Sequence, residues 1–204
     1  MKRNITCPCS ANFQINYEEE VDIDQSPDTL EKILNGTFMS YTCSNCGKKH
    51  KPELKINIIW KSKNLKMEVI PELDRGEFYR NKKEKSQFET VIGFPEMADR
   101  LSIIKDDLEP VIIETLKSFL LSKAADNYPD KDINAWYYSK DSSAIEFHLD
   151  GIRAGEVAVM KIPMEIYAKT LEDYQKRPKN STYSSLRVRS YLSVQNLLRP
   201  DVLK

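Results

Sequence analysis

Apolar residues along this chain follow two periods, and the points where one gives way to the other mark out its elements. Phe13, Ile15 and Tyr17 alternate with polar neighbours and predict a strand. The run Ser26-Pro27-Asp28-Thr29-Leu30-Glu31-Lys32-Ile33-Leu34-Asn35-Gly36 predicts a short helix. Ser26 serves as its N-cap, Pro27 takes the first helical position, acids fill the first turn, and Asn35-Gly36 is the stop. Residues 54–60 and 65–70 read as strands, 75–86 as a polar, charged stretch, and 87–94 as extended. Pro95 opens a short helical or turn segment that carries Met97, Leu101 and Ile104. The clearest helix spans 107–125, with Leu108, Ile112, Leu116 and Phe119 on one face and Pro110 in its first turn.

Asn127-Tyr128-Pro129-Asp130 breaks that helix, and the period then changes to two. Residues 133–138, 143–149 and 156–162 predict three strands of an antiparallel meander. Pro163 begins a helix that runs to Tyr174, and 181–198 reads as a final, partly amphipathic helical segment. The expected fold class is α+β. Its predicted parts are an N-terminal segment with an inserted helix, which the flanking pairs Cys7/Cys9 and Cys43/Cys46 make a split zinc ribbon, a following helix, and a C-terminal meander with helices. The break at 127–130 places the expected domain boundary between 1–126 and 127–204.

All four cysteines fall in two tight pairs, Cys7/Cys9 and Cys43/Cys46. A tetrahedral Zn2+ site takes four thiolates, commonly from two turns that each present two sulfurs. Cys43-Ser44-Asn45-Cys46-Gly47 has the two-residue spacer and trailing glycine of a zinc knuckle, whereas Cys7-Pro8-Cys9 is one residue shorter. The readings set against structural zinc are buried cysteines, a redox dithiol and a disulfide framework. Four protein sulfurs leave no open position for an activated water, which disfavours zinc hydrolysis. His50, in the run Lys48-Lys49-His50-Lys51, is a further metal donor by type but reads as solvated.

These segments resemble the CpXC protein family, a bacterial and archaeal domain recognised by its cysteines and without an assigned activity. The similarity is carried by residues 5–9, 26–36, 43–47 and 106–117, and extends over roughly residues 4–125. The resemblance implies Cys7, Cys9, Cys43 and Cys46 as metal ligands and brings no catalytic residues.

Charge changes the picture locally rather than globally. The chain has 31 basic and 31 acidic side chains, a balance that argues against general polyanion binding. Yet residues 48–66 hold Lys48, Lys49, Lys51, Lys55, Lys61, Lys63 and Lys66 with Trp60, and a single acid, Glu53. Basic residues beside an aromatic ring are the chemistry of a nucleic-acid surface. Residues 18–31 are correspondingly acidic, so strands following the two cysteine pairs would cancel much of this charge if they lie side by side. The six glycines are too dispersed for G-x-G-x-x-G or a P-loop, which excludes the familiar nucleotide-binding loops.

An enzyme would centre on Glu146 and His148, which share one face of the predicted strand with Asp150, while Arg153 or Lys161 could join them. Alternation alone also accounts for that row as a solvated strand face. Trp136-Tyr137-Tyr138 reads as core plus one exposed ring. Met1-Lys2-Arg3 leads into the first cysteine pair with no apolar h-region, and no run approaches a membrane span. The sequence therefore predicts a cytoplasmic, non-catalytic protein with structural Zn2+ and a protein partner of unknown identity. Nucleic-acid binding is the alternative, and a Glu146/His148 enzyme the second.

Overall fold

The chain is described by a computed structural model over residues 1–81 and 86–198, and its architecture is mixed α+β. It divides into two units, Met1–Ala98 and Asp99–Lys204. In the first, β1 (Lys2–Thr6) and β2 (Asn12–Asn16) form an antiparallel hairpin with Ile5 opposite Phe13. β3 (Glu20–Asp22) leads to α1 (Pro27–Leu34). A second hairpin joins β4 (Tyr41–Thr42) to β5 (Lys49–His50). Beneath the hairpins lies a small core of Ile15, Met39 and Leu54, with Phe13, Phe38 and Phe94 packed against it.

β6 (Ile56–Trp60) and β7 (Leu65–Ile70) follow as an antiparallel pair, and then α2 (Arg75–Arg80), β8 (Glu89–Ile92) and α3 (Gly93–Lys105). Within this unit the sheet runs β8-β7-β6-β3, its two outer strands parallel to their neighbours. Ile58, Met67 and Val69 are fully buried and share one face of the sheet, while Lys66 on the other face stays exposed. α1 starts at the predicted proline and ends where Gly36 turns to φ +72°, although the Ser26 side chain makes no capping bond.

Two readings of this unit change. Residues 75–80 of the predicted polar, charged stretch form a helix, with Arg75, Phe78 and Tyr79 buried; its residues 82–85 lie outside the described residues. The Arg75 guanidinium is inside because it donates to Glu72 and Glu96, both at 2.7 Å, and so carries its charge paired. The segment after Pro95 is a full helix that begins two residues earlier.

In the second unit, α4 (Pro110–Asn127) precedes β9 (Asn134–Lys140), β10 (Ala144–Asp150) and β11 (Ala158–Pro163), an antiparallel sheet in the order β11-β10-β9. α5 (Met164–Lys176) and α6 (Ser181–Ser184) follow, then β12 (Arg187–Val188), β13 (Tyr191–Leu192) and α7 (Gln195–Leu198). Ile145, Phe147 and Leu149 face a core that includes Ile112, Leu116 and Leu186. The boundary expected at 126/127 coincides with the end of α4, which lies inside this unit because the helix packs on β9 and α5.

α4 is buried on more than one side, through Val111, Ile113, Leu120 and Leu121, while Phe119 is 52% exposed instead of lining the core. The expected helix over 181–198 is replaced by two four-residue helices and a hairpin. Its turn is closed by Arg189 at φ 56°, a conformation incompatible with a continuing helix.

Candidate metal centre

Each cysteine pair sits in the turn of one hairpin: Cys7 and Cys9 between β1 and β2, Cys43 and Cys46 between β4 and β5. In the second turn the Cys43 carbonyl accepts from Gly47 N–H at 2.9 Å, and Cys43 N–H donates to Lys48 at 2.9 Å. The first turn is built the same way with one residue fewer. The Cys7 carbonyl accepts from Ser10 at 2.8 Å, and Cys7 N–H donates to Ala11 at 2.9 Å. Both turns place a left-handed residue directly after the second cysteine, Gly47 at φ +73° and Ser10 at φ +68°. The short Cys-Pro-Cys spacing is thus absorbed by a tighter turn that keeps its closing residue.

The two turns bring the sulfurs together. Cys7 Sγ lies 3.6 Å from Cys46 Sγ, Cys9 Sγ lies 3.8 Å from Cys43 Sγ, and the four sulfurs all fall within 4.8 Å of one another. A tetrahedron with Zn–S bonds of about 2.3 Å has edges of about 3.8 Å, so the donor set fits that ion. Cys7 and Cys43 are buried, whereas Cys9 and Cys46 face solvent.

Further donors converge on the sulfurs. The Asn45 side-chain amide donates to Cys9 Sγ at 3.5 Å. His50 Nε2 lies 3.2 Å from Cys7 Sγ, and the imidazole packs against Phe13 at 5.6 Å between ring centres. The expectation that His50 is solvated is therefore corrected: it is half-buried beside the sulfur cluster. Its placement follows from β5, where His50 pairs opposite Tyr41 and so turns inward from the lysine run.

These contacts divide the thiols. The Asn45 amide, the Ala11 backbone N–H and the Cys7 thiol lower Cys9 to about 6. On Cys7 the Cys9 backbone N–H acts to lower the pKa, but burial and the thiols of Cys9, Cys46 and Cys43 outweigh it and push the group up to about 12. The hydrogen bonds at Cys9 thus favour its thiolate, and a metal bound here would have to displace the proton from Cys7.

The basic segment is less open than its composition suggests. Lys61 pairs with Asp22 at 2.7 Å, Lys55 pairs with Glu68 at 2.9 Å, and Ser62 N–H donates to Asp24 at 3.0 Å. β3 and β6 lie side by side, which is what brings Asp22 and Lys61 within reach. Trp60 is 7% exposed and belongs to the core, a correction to its reading as a surface ring. Lys48, Lys49 and Lys51 remain exposed, while Lys63 is half-buried.

Glu146 and His148 do meet, at 3.1 Å, and Lys161 joins Glu146 at 3.3 Å; Arg153 instead pairs with Glu156 at 3.5 Å. Tyr138 stacks on His148 with ring centres 3.9 Å apart, and Trp136 donates to Asp150 at 2.8 Å. His148 and Lys161 hold the Glu146 carboxyl below its usual range. The cluster lies on the face of β10 opposite Ile145, Phe147 and Leu149, a sheet surface rather than an enclosed cleft.

Comparison with known proteins bears on the cysteine-bearing half. The family described as CpXC protein matches residues 5–117. A protein of Treponema pallidum (strain Nichols), whose description reads "Uncharacterized protein", is 28% identical over 214 residues, covering 95% of this chain and 97% of its own length. No solved structure matches. No helix among the described residues is long and apolar enough to cross a membrane.

Proposed function

The chain belongs to the CpXC protein family, and on that footing we propose that Cys7, Cys9, Cys43 and Cys46 hold one structural Zn2+ in a split zinc ribbon. The observation that carries this reading is the sulfur spacing of 3.6 and 3.8 Å, close to the edge of a zinc tetrathiolate. The two hairpins are the ribbon's halves, and α1 is the insertion between them. Bound Zn2+ cross-links two turns whose shared core is small, so metal binding contributes to folding. All four positions are sulfur, and the site's role is structural rather than catalytic. Free thiols in metal-ready pairs suit a reducing compartment, which supports a cytoplasmic location. Elemental analysis tests the metal claim. One zinc per chain is expected in the wild type and loss of it in Cys43→Ser and Cys9→Ser; near-stoichiometric metal surviving both substitutions overturns it.

On this reading the protein is a non-catalytic module for a protein partner. Support comes from apolar side chains left at the surface of the C-terminal sheet, where Val157, Val159 and Tyr138 are each more than half exposed. The expected result is that Val159→Lys weakens capture of a partner from native-cell extract relative to wild type. Nucleic-acid binding would rest on exposed Lys48, Lys49 and Lys51, without Trp60 and with Lys55 and Lys61 tied to acids. Nucleic acid that co-purifies with the wild type and is released by Lys48→Glu/Lys49→Glu would favour that second reading.

A further inference from the structure

A cavity of about 350 Å³ opens beside α1. Its walls are mainly apolar: Ile33, Leu34, Phe38, Phe94, Pro95 and Met97. The rings of Phe38 and Phe94 meet at 5.8 Å and make one side, while Ile33 and Met97 are buried at 3% and 1% exposure. A volume near the lower end of ligand cavities, about 300–1,000 Å³, with a predominantly apolar lining suits a small molecule that buries most of its surface.

Two charged groups line the cavity, and only one of them is free to meet a ligand. Glu53 is committed to the fold, since one carboxylate oxygen accepts from Phe94 N–H at 2.9 Å and the other from Glu72 N–H at 2.7 Å. Lys51 is exposed and makes no ion pair among the described residues. Its ammonium lies against Gly36, 3.4 Å from where a Cβ would stand, so the residue that ends α1 also leaves room at the lysine. An apolar chamber whose one available charge is a cation selects for an apolar molecule with an anionic end.

We propose that this cavity binds a small amphiphile with an apolar body and a terminal carboxylate, the body against Phe38, Phe94 and Met97 and the carboxylate on Lys51. The inference is separate from the metal reading, because none of the four cysteines lines the cavity.

Calorimetric titration of the full-length protein, as purified, with octanoate and with octan-1-ol tests it. Octanoate is expected to bind saturably with a dissociation constant on the order of 0.1–1 mM. Octan-1-ol, which lacks the charge, is expected to bind about fivefold to tenfold more weakly. Lys51→Gln, a surface change that leaves the core untouched, should bring octanoate down to the level of the alcohol. Ala98→Leu, which fills the chamber, should weaken both. Absence of saturable octanoate binding, equal affinity for acid and alcohol, or indifference to Lys51→Gln overturns the proposal. Tighter binding of a tetrapeptide ending in phenylalanine would assign the cavity to a protein tail and overturn it as well.

Discussion

At Ser10 the backbone adopts φ +68°, where the Cβ of an L-residue crowds the following carbonyl at roughly 1–2 kcal/mol; Gly47 takes the matching position in the other turn without that penalty. Ser10→Gly is therefore expected to stabilise the zinc-loaded protein by about 1 kcal/mol, read as a higher urea midpoint. An unchanged or lower midpoint would show that the serine side chain offsets the backbone cost. His50 is the second residue on which the centre turns. Its ring nitrogen is 3.2 Å from Cys7 Sγ, within reach to donate to a thiolate and orient it. His50→Ala should lower zinc affinity about 10–100-fold in competition with a chromophoric chelator. Neither role was legible in the sequence. The cysteine spacing pointed to the four sulfurs, but His50 is embedded among lysines, and a serine does not announce a left-handed turn.

Among the elements, the turn from β9 to β10 is held by one carboxylate. Asp141 accepts from the Ser143 hydroxyl and backbone N–H, both at 2.7 Å, and from Ala144 N–H at 2.9 Å, and these bonds lower its pKa to about 2. Because the folded value lies below the usual 3.8, the contribution is complete above about pH 4 and fades as pH falls toward 2. Asp141→Ala should lower the melting temperature at pH 6, and the gap to wild type should close near pH 2; a gap independent of pH would contradict this account. α4 is a harder case. Lys117 Nζ donates to Glu114 at 2.8 Å and also to Asp99, all three buried, and Glu114 accepts from Val194 N–H at 2.8 Å. Lys117→Met leaves two carboxylates facing each other in the core and is expected to cost about 3–5 kcal/mol in urea unfolding. The 3.6-residue pattern located this helix well but misjudged its faces. Glu114 and Lys117, charged residues of a kind that ordinarily faces solvent, are buried and satisfied internally, and Phe119 takes the outer position. The meander strands stood out because their alternation matches one covered face, whereas the 181–198 segment mixes apolar and polar residues with no period long enough to decide.

For the whole molecule, the two units differ in what holds them. The second has an extended core around Ile112, Ile145, Phe147 and Leu186, while the hairpins of the first rest on a few side chains and the proposed metal. Removing zinc with a chelator is thus expected to expose the amides of residues 1–16 and 41–50 to hydrogen exchange while those of β9 and β10 stay protected. Equal loss in both units would contradict the assignment of the metal's effect to the ribbon. The α+β class and the cysteine constellation could be read from composition and spacing. The sheet order, with β3 returning parallel to β6, could not, since nothing local specifies which strand a short acidic segment will join. Four thiolates and one Zn2+ would also move the formal charge from zero to −2, so the neutral balance of 31 against 31 describes the chain before metal.

The measurement that bears most directly on the central claim is zinc K-edge X-ray absorption of the purified protein. Four sulfur neighbours at about 2.3 Å are expected, with no nitrogen in the coordination shell and no change in His50→Ala. Three sulfurs and one nitrogen, with the nitrogen lost in His50→Ala, would contradict the tetrathiolate and move His50 into the coordination shell.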